Sequence, residues 1–141
     1  MPEVTYSARS NYEDVRKFHE KFKLANGTTP SLLPPDLERF RQDFLREELE
    51  EFEHACAKKD LALAADALVD LVYVALGTAA LMGLPWQALW DEVHAANMRK
   101  ERQPRPGADP TARGGVYDVV KPPGWEPPRV SRILAEHGAP A

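Results

Sequence analysis

The sequence predicts an all-α fold: a four-helix bundle-like core followed by an ordered, Pro/Gly-rich C-terminal tail. Three observations carry that expectation. Helix start and stop signals recur along the chain, apolar residues return at helical spacing, and alternating strand patterns are almost absent. The 141 residues suffice for one compact core, so a single domain over 1–141 is expected, with its tail over 102–141.

A first helix is expected after Asn11, a good N-cap, with Val15, Phe18, His19 and Phe22 on one stripe. The stretch NGTTPSLLPP, with Gly27, Pro30, Pro34 and Pro35, interrupts it. A second helix is expected from near Asp36 to about Lys59, its apolar face marked by Leu37, Phe40, Phe44 or Leu45, and Phe52. Asp60 can cap a third helix, which Gly83 ends, and Pro85 can open a fourth, PWQALWDEVHAANMRKE. Residues 102–128 then hold seven of the 13 prolines and half of the eight glycines, which excludes a continuous helix. Val116, Tyr117, Val119, Val120 and Trp125 are too apolar for a pure linker, so part of the tail is expected to pack as an ordered loop or short hairpin. RVSRILAEH can form a last helical turn.

Composition narrows the function. A net charge of −4 argues against nucleic acid as the main partner, and the single Cys56 excludes an internal disulfide or a multi-cysteine zinc site. MPEVTYSARS carries no apolar run of the secretory kind, and a cytoplasmic protein is the expectation. Residues 67–84 are long and apolar enough to suggest a membrane span. However, Asp70 inside the stretch and Asp66 just before it would each cost about 2.5–3.5 kcal/mol near a bilayer centre. The flanking amphipathic segments offer a bundle instead, so the stretch is read as a central core helix and no membrane partner is expected.

The run REELEEFEHA places five glutamates (47, 48, 50, 51 and 53) in seven positions. On a helix turning about 100° per residue, with Glu47 at the origin, Phe40, Phe44, Phe52 and Leu45 fall at roughly 20°, 60°, 140° and 160°. Glu51 and Glu48 fall at roughly 40° and 100°, within that apolar sector. Glu47 lies at its edge, where Arg46 or Arg39 could pair with it, and Glu50 and Glu53 point to solvent. Asp66 and Asp70, four residues apart on the next helix, share one face. Asp66 either suits the dipole near its helix start or joins the inward acids. Inward carboxylates on two facing helices need a compensating charge or a proton. Oxygen-only clusters of this kind suit hard divalent cations, Mg²⁺ first and Mn²⁺ as an alternative.

EELEE followed by DALVD resembles the EExxE and ExxD pattern of the all-α nucleoside triphosphate pyrophosphohydrolases. This MazG-like superfamily also contains dimeric dUTPases and phosphoribosyl-ATP pyrophosphohydrolases. Glu47, Glu48 and Glu51 match the first part and Asp70 ends the second. Ala67 stands where the family has Glu, with Asp66 one residue away as a replacement ligand. VRKFHEKFKL, HAANMRKE and KPPGWEPP extend the resemblance over about residues 11–129. It implies a Mg²⁺-dependent enzyme that cleaves a (d)NTP, with dUTP the first choice, to the monophosphate and pyrophosphate, and that forms a homodimer or higher homo-oligomer.

By that resemblance Glu47, Glu48, Glu51, Asp70 and Asp66 are candidate metal ligands. Glu47 and Glu48 are candidate catalytic groups, with Glu47 the proton acceptor. Asn97, Lys100 and Lys121 are candidate phosphate or sugar contacts, together with Arg99 and Arg102 at the end of the fourth helix. Phe18, His19, Phe22, Tyr73 and Trp125 are candidates for the base or ribose, with core packing the competing role for the two phenylalanines and a structural imidazole for His19. Other substrates (dCTP, a damaged NTP, phosphoribosyl-ATP) stay open, as does a non-catalytic nucleotide-binding module.

Overall fold

The computed structural model describes residues 10–104 and 117–141. They contain five helices, α1 (Asn11–Lys21), α2 (Pro35–Ala57), α3 (Leu61–Leu81), α4 (Trp86–Met98) and α5 (Val130–Glu136). The strands β1 (Glu101–Pro104) and β2 (Tyr117–Val120) complete the set. The fold is all-α, as the punctuation predicts. Two compact units divide it, Met1–Leu84 with His137–Ala141, and Pro85–Glu136.

In the first unit the helix boundaries follow local chemistry. Ser10, not Asn11, is the N-cap of α1, its hydroxyl accepting from the Glu13 amide; Asn11 is the first helical residue. Asp60 caps α3 as expected, its carboxylate accepting from the Leu63 amide at 3.0 Å. Only three residues, 58–60, join α2 to α3, so the two helices run antiparallel and pack side by side. Beyond α3, Gly83 takes φ +65° and its backbone passes so close to Gly27 that a Cβ on Gly27 would lie 2.5 Å from the Gly83 nitrogen. The Gly27 amide donates to the Ala80 carbonyl at 2.8 Å, which ties the connection after α1 to the end of α3.

Arg41 fastens α2 to α3. Its Nε donates to Thr78 Oγ1 at 3.0 Å and its Nη2 to the Val74 carbonyl at 2.9 Å. Burial pulls its pKa down from the ordinary value, yet arginine stays charged. Gly77 leaves room for this guanidinium, since a Cβ there would lie 2.7 Å from Arg41 Nη2. Glycine inside a helix gives up about 1 kcal/mol relative to alanine; here the space serves the inter-helix bond.

α3 buries Ala67, Val74, Leu76, Gly77, Ala79 and Ala80, but it is not the fully covered core helix the sequence suggests. It is long and apolar enough to cross a membrane by length and composition. α1 and α2 pack against it, while Leu61, Leu63, Leu68, Val69 and Val72 stay exposed. Because it is apolar nearly all round, the two neighbouring helices cover only part of its circumference.

In the second unit α4 stops at Met98, two residues short of Lys100. The chain then enters β1, which pairs antiparallel with β2, Glu101 opposite Val120 and Pro104 opposite Tyr117. Arg102 therefore sits on a strand and not on the end of α4 as the sequence suggests. The short hairpin-type pairing expected in the tail is present; Val116 lies outside the described residues. The Trp125 indole donates to the Ala96 carbonyl at 2.8 Å, and the Arg129 amide donates to Glu92, which holds the tail on α4.

Arg41→Met keeps the aliphatic stem and removes both donors to α3. Urea unfolding is expected to show a loss of about 1–3 kcal/mol; an unchanged midpoint would contradict the clamp.

Candidate metal centre

The antiparallel register set by Arg41 carries α2 past α3 so that Glu48 meets Asp70. Ligand oxygens of Glu48, Glu51 and Asp70 lie within 4.8 Å of one another. Glu48 is buried, Asp70 half-buried and Glu51 exposed, so the group opens to solvent on one side. Glu48 Oε2 is buried without a hydrogen-bond partner, although buried carboxylate oxygens are ordinarily satisfied. Burial pushes the Glu48 carboxyl above its ordinary value, and the charges of Glu51 and Asp70, a hydrogen bond with Glu51 and the charge of Glu47 push it further in the same direction.

An unsatisfied oxygen among like charges suits a cation. Three oxygen donors on two rigid helices, with an open side for water or phosphate, suit a hard divalent ion. Glu48, Glu51 and Asp70 would hold it. Glu47 is exposed and outside this triad, though near enough for its charge to act on Glu48. Arg46 pairs with Asp43 at 2.8 Å and not with Glu47. Asp66 is also outside the triad; with Glu51 and Ala67 it lines a neighbouring cavity of about 330 Å³.

The candidate base and phosphate contacts separate into distinct settings. His19 is buried, and its Nδ1 donates to the Ala25 carbonyl at 2.9 Å, which ties α1 to the connection that follows it. Phe18 meets Tyr73 edge-on at 5.4 Å and Phe22 at 4.7 Å, so these rings join α1 to α3. Tyr73 also lines a larger cavity of about 520 Å³ with Val15, Leu68, Val69, Val72 and Leu76. None of the triad acids reaches that cavity. In the second unit the ammonium groups of Lys121 and Lys100 lie 4.9 and 5.7 Å from the Trp125 ring centre, which gathers three of the candidates; Asn97 is exposed on the last turn of α4.

Arg41 was not among the residues singled out from the sequence. Its signal, one of three arginines on α2 standing opposite a glycine on the facing helix, needs the helix register to be known first.

A family model described as phosphoribosyl-ATP pyrophosphohydrolase matches residues 15–97, more than half of the chain. No curated protein matches it.

The raised Glu48 value fixes a pH trend. Between the ordinary value of 4.5 and the raised one, the folded chain binds more protons than the unfolded chain, so metal-free stability falls as pH rises through that window. A divalent cation should restore it, with a larger gain in melting temperature at pH 8 than at pH 5. Glu48→Gln should raise the metal-free melting temperature by about 2–6 °C, the shift roughly 1 kcal/mol produces in such a domain, and abolish the metal-induced gain. A variant that is less stable without metal, yet still gains from it, would exclude Glu48 from the centre.

Proposed function

The chain belongs to the phosphoribosyl-ATP pyrophosphohydrolase family, part of the all-α MazG-like superfamily, and we propose that Glu48, Glu51 and Asp70 hold Mg²⁺, or Mn²⁺ in its place, for nucleotide hydrolysis. The family assignment makes it a nucleotide pyrophosphohydrolase. The observation that carries the metal reading is the buried, unpartnered Glu48 oxygen facing two further carboxylates.

When bound, the cation neutralises charge on the phosphates and favours an activated water. The chain's own groups then have separable tasks. Glu48, Glu51 and Asp70 fix the ion and thereby the substrate's phosphate oxygens. Glu47, exposed beside them, accepts the proton of the water that attacks the α-phosphorus. The bond from that phosphorus to the bridging oxygen breaks, and pyrophosphate leaves. Positioning and charge neutralisation supply most of such a barrier reduction. Asp66 is the reserve ligand on the Ala67 side.

The substrate we favour is a (d)NTP of the dUTP kind, in a house-cleaning role, from the likeness of EELEE and DALVD to the superfamily that contains the dimeric dUTPases. A second reading, phosphoribosyl-ATP, is favoured by the description of the matched family. The exposed apolar face of α3, with Leu68, Val69 and Val72 beside the larger cavity, supports a homodimer or higher homo-oligomer, since contiguous apolar surface of this kind usually meets a partner. Cytoplasmic location accords with this role.

Pyrophosphate release from dUTP, dCTP, the other (d)NTPs and phosphoribosyl-ATP, with Mg²⁺ or Mn²⁺, tests the reading. At least one is expected to turn over, and Glu48→Ala should lower that rate by about a hundredfold or more, since even residues that only support metal ligands are worth about 10–100-fold. No turnover of any substrate would leave a non-catalytic binding module.

A further inference from the structure

The cavity beside the triad has a composition that metal binding alone does not use. One end is Glu51, a triad member; His54 further along α2 and Lys58, the residue that caps its C-terminus, enter its wall, and Asp66 faces them from α3. Glu51, His54, Ala55 and Lys58 follow the three- and four-residue steps of one helix stripe. Ala55 and Ala67, both buried, form its floor from opposite helices, and their small side chains leave the volume open. Among the described residues neither the His54 nor the Lys58 side chain has a hydrogen-bond or ion-pair partner.

We propose that His54 and Lys58 form the subsite for the departing pyrophosphate, the β and γ phosphates of the substrate. This rests on the hydrolytic reading above and adds a direction to it. The stripe is polarised, with carboxylates that suit a cation at one end and donors that suit an anion at the other. Seven residues separate Glu51 from Lys58, about 10 Å along the helix, a span that a diphosphate and an extended lysine side chain fill together. A phosphate chain bound to the cation at Glu51 extends along the stripe to the lysine, which acts as a point charge on phosphate oxygens. Asp66, in the same wall, would repel a bare anion and accept one that arrives with its metal. His54 and Lys58 are thus positioning residues: they hold the leaving group and take no part in bond breaking.

Calorimetric titration of the full chain with inorganic pyrophosphate in Mg²⁺ tests this without hydrolysis. Wild type should bind, Lys58→Ala and His54→Ala should each weaken affinity about tenfold, equivalent to 1.4 kcal/mol, and Lys58→Arg should retain most of it. Both positions are exposed, so the variants should fold, and Mn²⁺ affinity measured without pyrophosphate should not change. Failure of wild type to bind pyrophosphate, or affinity indifferent to both substitutions, overturns the subsite. An inert chain that binds pyrophosphate through Lys58 refutes the catalytic reading alone; an active enzyme indifferent to both substitutions refutes the subsite alone.

Discussion

The antiparallel contact between α2 and α3 is the constraint on which the site depends. A three-residue connection forces the two helices to run back along one another, and Arg41, reaching Val74 and Thr78, fixes how far one is shifted along the other. With that register set, Glu48 falls beside Asp70, and Glu51 and His54 fall beside Asp66 and Ala67. A shift of one helical turn, about 5.4 Å, would take Glu48 away from Asp70, toward Asp66 and Ala67 in one direction and toward Tyr73 and Val74 in the other. Side-chain geometry at the site is therefore inherited from backbone packing some distance away.

That packing also sustains an arrangement that is locally unfavourable. Burial of the Glu48 carboxyl, and then the like charges of Glu51 and Asp70 close to it, push it above its ordinary value and weigh against the metal-free fold. Apolar and hydrogen-bonded contacts elsewhere offset the strain: the Arg41 clamp, the Phe18 and Tyr73 contact, and the crossing of Gly27 and Gly83. Functional sites commonly sit where stability is given up in this way. A cation converts the mutual repulsion of the acids into shared attraction.

Much of this was legible in the sequence because helices obey short-range rules. Asp60 as a cap, Gly83 as a stop and the Pro/Gly-rich break after α4 need only a few neighbouring residues to be read. The inward direction of Glu48 followed from its angle among phenylalanines, and Asp70 from being an acid within an apolar helix. Long-range properties were not legible. Arg41 reads as one more polar residue on an amphipathic helix until its partner carbonyl on α3 is known. The exposure of Leu68, Val69 and Val72 depends on how much of α3 two neighbours can cover, which composition does not state. Arg102 was misplaced because the end of α4 and the start of β1 lack a breaker between them, and the Ser10 cap lies beside an equally good candidate.

The most direct test of the central claim is anomalous diffraction at the manganese edge from crystals of the chain grown with Mn²⁺. The account predicts a peak bounded by Glu48, Glu51 and Asp70, with the Glu48 Oε2 atom turned onto it. A well-ordered protein with no peak there, or with manganese held only elsewhere, would contradict it.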